Sequence, residues 1–329
     1  MRRADGSPAG RAARALRLAR AVGVAVAWAS FAATPARAAD PPPSTQAAWA
    51  TAQSGGAGAA AVGAVSVRDD RDRIVTLARP ARRIVSLAPH ATEMLFALGA
   101  GERVVAVDRS SDHPPEARRR PALAALPRPD PERLAALSPD LVVLWGPGAG
   151  GDLADRIAAL GPAVYVSDPR SLEAVATTLE RLGVLAGAAP AARAQAAGLR
   201  ERIAALRARH AHGPAVPVFV QVWSRPLMTL SDRDAIGDAL RACGARNVFG
   251  GLSTAAAQVD PEAVVRRAPR LVLAFDGDEG RNVWRRVGLL APQGKAEWLR
   301  VDPVLQRPAP RALDELERAC DAIARRREG

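Results

Sequence analysis

Lysine is almost missing from this chain. Of its 46 basic residues only Lys295 is lysine, and the rest are arginine. Aromatic residues make up 4%, histidine occurs four times and cysteine twice. The net charge of +12 is therefore not a nucleic-acid footprint, because no basic stripe is interleaved with aromatics for bases to stack on. The arginine comes together with abundant alanine, glycine and proline, the pattern of a coding bias. Long apolar runs are missing too. Ala21 to Ala33 is the longest, and it is too short and too rich in small residues to span a bilayer. No phosphate-cradling glycine loop and no His-Glu-x-x-His zinc motif occurs. Gly251-Leu252-Ser253-Thr254-Ala255 approximates a nucleophile elbow but lacks the second glycine. Four histidines without a clustered acid give no site for a bare divalent metal, so no metal ligand and no catalytic residue is assigned.

The start of the chain has the order of a secretory signal. Arg2, Arg3, Arg11, Arg14, Arg17 and Arg20 precede the apolar segment, and Ala36-Arg37-Ala38 follows it as a small-x-small cleavage site. Export with cleavage after Ala38 is the expectation. No cysteine follows the apolar run to carry a lipid. In an oxidising compartment Cys243 and Cys320 are either bridged or two buried thiols. A bridge would close a loop of roughly 78 residues, worth about 4 kcal/mol by loop-closure entropy. Residues 39–64, rich in Pro, Ala, Gly, Ser and Gln, read as a disordered tether.

From residue 65 the pattern is β and α in alternation. Val65 to Leu77 is a hairpin about an Asp-rich turn. Arg83 to Gly99 reads as a buried strand, a tight turn at Ala88–Ala91 and a helix. Thr92 and Glu93 fall in its first turn, where a carboxylate suits the dipole. Met94, Leu95 and Leu98 form its apolar face, and Gly99 stops it. A second strand, 104–107, follows, and then a polar loop, Asp108 to Pro115. Ligands of open α/β sheets lie beyond the carboxyl ends of strands, so these turns are candidate site walls. A helix opens at Asp130-Pro131-Glu132, strand 141–144 ends at Trp145, and helix 152–160, strand 163–166 and helix 171–182 follow. Residues 190–210 make one long helix, then strand 216–222, a loop over Trp223–Ser231 and a helix near 232–242.

One internal match stands out. Asp130-Pro131-Glu132-Arg133-Leu134 with Pro139-Asp140-Leu141-Val142 reappears, at one constant offset, as Asp260-Pro261-Glu262-Ala263-Val264 with Pro269-Arg270-Leu271-Val272. A capped helix feeding a strand, twice in register, predicts two related lobes. Glu132 and Glu262 then take the same place on each. Two readings are open on spacing alone. Each glutamate complements its helix dipole, or the pair is gripped by the arginines of a symmetric dimeric partner.

Arg83 to Pro89 with Thr92-Glu93, Ser111-Asp112-His113-Pro114-Pro115, Pro139 to Val142, Cys243 to Phe249 and Arg307-Pro308-Ala309-Pro310-Arg311 together resemble the periplasmic substrate-binding proteins of ABC importers for cobalamin, haem and ferric siderophores. The resemblance covers about residues 65–326. It is strongest to the cobalamin-binding branch, through the Ser-Asp-x-Pro-Pro loop, Trp145 and the placement of Cys243 and Cys320, which implies a disulfide. It implies an α/β fold of two similar lobes, each a central sheet flanked by helices, joined by one long rigid helix. The expected divisions are a signal peptide at 1–38, a tether at 39–64, lobes at 65–189 and 213–329, and a connecting helix at 190–212. The implied protein is a monomeric, non-enzymatic periplasmic carrier with no cofactor. It takes a corrinoid in the interlobe cleft, with haem or a ferric siderophore as alternatives. It delivers that ligand to an ABC permease dimer and its ATPase, docking through Glu132 and Glu262. The implied ligand-binding residues are Pro89, His113, Trp145, Trp223, Met228 and Arg307. The cage of aromatics usual in that branch is thinned, with His113 at a tyrosine position, Leu126 and Ala256 at two further cage positions, and Met228 at another. His113 either contacts the ligand or is a packed loop residue. His90 is a further candidate for the cleft. His210 and His212 are expected in solvent or at the dipole of the long helix.

Overall fold

The computed structural model describes residues 63–124, 129–290 and 296–327. The signal segment, the tether up to residue 62, and Leu126 lie outside them. Strands β1 (Val65–Arg68) and β2 (Ile74–Leu77) form the expected antiparallel hairpin. Then come β3 (Ile84–Leu87), α1 (Pro89–Ala97), β4 (Val104–Asp108), β5 (Ala122–Leu123), α2 (Pro131–Ala136), β6 (Leu141–Trp145), α3 (Leu153–Ala158), β7 (Ala163–Ser167) and α4 (Leu172–Leu185). Strands β3 to β7 make a parallel sheet in the order β5-β4-β3-β6-β7.

Helix α5 (Ala189–His210) leads to the second half. It contains β8 (Val216–Gln221), β9 (Trp223–Ser224), β10 (Leu227–Leu230), α6 (Ala235–Ala242), β11 (Ala245–Asn247), β12 (Ala256–Gln258), α7 (Pro261–Arg266), β13 (Leu271–Ala274), α8 (Arg281–Arg286), β14 (Glu297–Arg300) and α9 (Ala312–Ala324). Its parallel sheet runs β11-β8-β13-β14. In the first sheet β3 lies between β4 and β6, and in the second β8 lies between β11 and β13. Both sheets therefore share one winding, and the first adds β5 at its edge. The Asp-Pro-Glu repeat is thus a repeat of structure. Asp140 N donates to Arg83 O at 3.0 Å, and Arg270 N donates to Pro217 O at 2.8 Å. Ser138 (φ 42°) and Ala268 (φ 46°) both take the left-handed conformation that ends α2 and α7.

Side chains on the sheets alternate as the pleat demands. Ile84, Leu141 and Val143 of the first sheet, and Val218, Val220, Leu271 and Leu273 of the second, enter one core. Helices α4, α5, α6 and α9 complete it, with Ala192, Ala196, Leu199, Ile203 and Leu206 of α5 buried along its length. The long helix is thus packed between both halves rather than exposed as a strut. The opposite faces make two outer cores. One joins Val85, Leu87, Val142 and Leu144 to Leu134 of α2 and to α3. The other joins Phe219 and Val272 to Val264 of α7 and Trp284 of α8. There Phe249 and Trp284 meet Phe219 edge-on at 5.6 and 5.5 Å. Cys243, the residue after α6, is bridged to Cys320 of α9, with Cα atoms 4.6 Å apart.

Three expectations change. Helix α1 begins at Pro89, so Glu93 lies in the second turn and not where the dipole is felt. Trp223–Ser231 is no plain loop: β9, β10 and β12 form a three-stranded antiparallel sheet. The last partner, β12, comes only after α6 and β11, and so leaves no local signal. His210 closes α5, at the helix dipole as expected, and is buried there, its Nε2 3.7 Å from Asp321 Oδ1, with burial lowering its pKa. His90 is also buried.

Candidate interlobe binding site

The first sheet presents the carboxyl ends of β3, β4 and β6 side by side, as a parallel sheet requires. Leu87, Pro89, Asp108, Arg109, Ser110, Ala124 and Trp145 come from the strand ends of this sheet and the turns after them. Gln306, Arg307 and Pro308, from the segment between β14 and α9, complete a cavity of about 400 Å³. Both halves of the molecule therefore contribute wall. Trp145 is the last residue of β6 and is 39% exposed, where every other residue of that strand is buried. Its backbone is fixed by pairing with Ser167, while its ring is left to the cavity.

Local structure explains why these ends are held. Thr92 Oγ1 lies 2.8 Å from Ser86 Oγ and 3.0 Å from Ser111 Oγ, all three buried. This ties the 108–112 loop to α1. Ser110 N donates to Asp108 Oδ1 at 2.8 Å. His90 Nε2 is 2.7 Å from Ser167 Oγ, next to the Trp145 pairing. Its burial pushes the imidazole pKa down to about 4, so it is a neutral hydrogen-bonding strut within the lobe and not a cleft residue.

An ionic cluster crosses between the halves beside the cavity. Glu93, 5% exposed on α1, accepts from Arg311 Nε at 3.0 Å and Nη2 at 2.7 Å, a two-pronged pair. It also accepts from Arg307 Nη1 at 3.2 Å. Arg307 Nη1 pairs with Asp112 as well, and Nη2 donates to Ser110 O at 3.3 Å. The Arg307 guanidinium hydrogen-bonded to Asp112 holds that carboxyl below its usual range.

Of the six ligand-binding residues named from the sequence, Pro89, Trp145 and Arg307 line this one cavity. His113, Trp223 and Met228 do not. His113 is half-buried in the loop before Pro114. Trp223 is 60% exposed on β9, paired in register with Met228 of β10. Ala256 is exposed on β12, opposite Leu230. Glu132 and Glu262 are both exposed, each following the proline that opens its helix, on the outer face of each sheet. Sequence reasoning did not find Glu93, Asp112 or Arg311 as site residues. The spacing of Arg307 and Arg311 was visible, but their shared carboxylate lies on α1, in the other half of the chain. Among the described residues no group of three or more His, Cys, Asp or Glu is placed to hold a metal ion. No helix among them is long and apolar enough to cross a membrane.

Residues 84–283 match the family described as periplasmic binding protein, which is more than half of the chain. The chain belongs to this family. Among its relatives, the vitamin B12-binding protein of Vibrio cholerae is 30% identical over 244 residues, which cover 73% of this chain and 88% of that protein. The vitamin B12-binding protein of Photorhabdus laumondii is 30% identical over 246 residues, 73% and 87% of the two chains. Among solved structures, the periplasmic vitamin B12-binding protein of Vibrio cholerae matches with a TM-score of 0.70 at 28% identity, covering 76% of this chain and 99% of that one. The periplasmic heme-binding protein of a Roseiflexus species, in its apo form, matches at 0.62 and 26%, covering 75% and 99%. The two-lobed architecture expected from the sequence is the fold of this family, and these relatives are named for binding and not for catalysis.

Proposed function

We propose that this protein is an exported, non-catalytic carrier that captures a corrinoid, cobalamin being the reading we favour, between its two lobes. It then hands the corrinoid to an ABC permease dimer with its ATPase. The observation that carries the reading is the cavity walled by both halves, with Trp145 presented at a strand end together with Leu87 and Pro89, and Arg307 supplied by the other half. A large, mostly apolar ring system packs on a tryptophan face and aliphatic walls, while a guanidinium meets its polar rim. The likeness to two vitamin B12-binding proteins at 30% identity supports the same ligand class. Glu132 and Glu262 support the docking half of the proposal. They occupy equivalent places on two like-folded halves, so a twofold-symmetric permease meets two carboxylates at once. Monomeric state, export by the segment 1–38 with cleavage after Ala38, and the division into lobes 65–189 and 213–329 about the 190–212 helix belong to the same proposal. His113, Trp223 and Met228 are kept as outer contacts for a ligand larger than the cavity itself.

The test is calorimetric titration of the protein without residues 1–38 with cyanocobalamin, cobinamide and haemin. Sub-micromolar cyanocobalamin binding is expected, weakened about tenfold or more by Trp145→Ala, the scale of a buried aromatic anchor. Haemin binding with a Soret shift that depends on His113 would move the protein to the haem-binding branch. No binding of any of the three would refute the corrinoid reading and leave a siderophore-like chelate.

A further inference from the structure

The two arginines beside the cavity pose an electrostatic problem that the structure solves with one residue. Arg307 and Arg311 stand four residues apart on the same segment and repel each other. Asp112 hydrogen-bonds Arg307 and not Arg311, and it is 51% exposed. Glu93 is the buried counter-charge common to both, its Oε1 shared between Arg311 Nη2 and Arg307 Nη1. It reaches the pair from the opposite lobe, on the helix that also carries Thr92, the anchor of the Ser111 loop.

We infer that Glu93 is a positioning residue of the ligand site. Its carboxylate holds Arg311 by two bonds, holds Arg307 by one, and so fixes the guanidinium that lines the cavity before any ligand arrives. With Glu93 neutral, Arg307 keeps only Asp112 and Ser110 O, both on the 108–112 loop. Arg311 would then lose both of its charged hydrogen bonds. The arginine side chain would regain rotamer freedom that ligand binding must then remove. The segment 303–311, which brings Gln306, Arg307 and Pro308 to the wall, would lose its tie to α1.

The binding arm of the test rests on the corrinoid reading, and the second arm does not. Cyanocobalamin affinity is measured for the wild type, Glu93→Gln, Arg307→Ala and the double variant. Glu93→Gln is expected to weaken binding about tenfold in the wild-type background and less than about twofold in the Arg307→Ala background. Equal losses in both backgrounds would overturn the inference, because Glu93 would then act without Arg307. Hydrogen exchange of the ligand-free protein gives the second arm. Glu93→Gln is expected to speed exchange several-fold at the amides of 305–312 while leaving β8 and β13 unchanged. Unaltered exchange at 305–312 would overturn the inference. Uniform acceleration through the whole chain would do so too, by assigning Glu93 to folding. If the wild type binds none of cyanocobalamin, cobinamide or haemin, the ligand reading fails and the exchange arm alone decides this one.

Discussion

At the scale of single residues, burial decides which titratable groups matter. His90 has the residue type of a ligand-contacting or pH-sensing group, but its ring lies inside the first lobe against Ser167. Its pKa in the fold, about 4, lies below its ordinary 6.5, so the unfolded chain takes up the proton first as pH falls. Above about pH 6.5 the group leaves stability unchanged, and between there and about pH 4 stability is lost, by about 3 kcal/mol at the lower end. His90→Gln is expected to flatten this part of the acid limb in urea unfolding measured from pH 7 to 4. Tyr165 shows the same effect on an acid: burial first, with Asp70 adding to it, pushes its phenol up to about 12, so it stays neutral at any working pH. Glu93, buried as well, lies against two guanidiniums, those of Arg307 and Arg311.

At the scale of elements, the repeated helix-to-strand unit has two unequal caps. Asp130 accepts from Glu132 N at 3.0 Å and Arg133 N at 3.3 Å, whereas Asp260, the N-cap of α7, makes no side-chain cap bond. Asp130→Ala is therefore expected to cost about 1 kcal/mol, and Asp260→Ala less than half of that, in paired denaturant titrations. A like-sized loss at both sites would show that the two caps work through their charge at the dipole and not through hydrogen bonds. Both units end on a non-glycine residue in the left-handed region, Ser138 and Ala268. These two chain reversals of one geometry, one in each half, were readable as two Ser/Ala-Pro pairs but not as left-handed turns, because neither residue type signals positive φ.

At the scale of the molecule, one core links both sheets through α5, and the disulfide adds a covalent tie between α6 and α9 inside that core. Charged pairs extend the joint. Arg200 of α5 meets Glu173 and Glu180 of α4, and Arg202 meets Asp314 and Glu317 of α9. Leu172 N donates to Asp238 Oδ2 across the two halves at 2.9 Å. Replacing both cysteines by serine frees a loop 77 residues in span. The expected loss is about 4 kcal/mol of unfolding free energy, read from the shift of the denaturant midpoint. A loss near zero would mean that the α6–α9 contact is held by packing alone.

The main elements from β1 to α6, and the α7–β13 pair, were legible in the sequence, whereas β5, β9 to β12 and the elements after β13 were not. Continuous apolar runs marked the central strands, Asp-Pro-Glu marked two helix starts, and the long alanine- and arginine-rich stretch marked the connector. These signals act over a few residues, where propensity and capping operate. The repeated glutamates, Glu132 and Glu262, were legible for the same reason, as members of a repeated local unit. The tertiary structure alone decided what depends on distant partners. It put Glu93 against Arg307 and Arg311, placed His90 inside rather than at the cleft, paired β10 with β12, and chose which of the candidate ligand residues share one cavity. Charge pairing and burial are properties of neighbours in space, and no local spacing encodes a neighbour that lies in the other half of the chain.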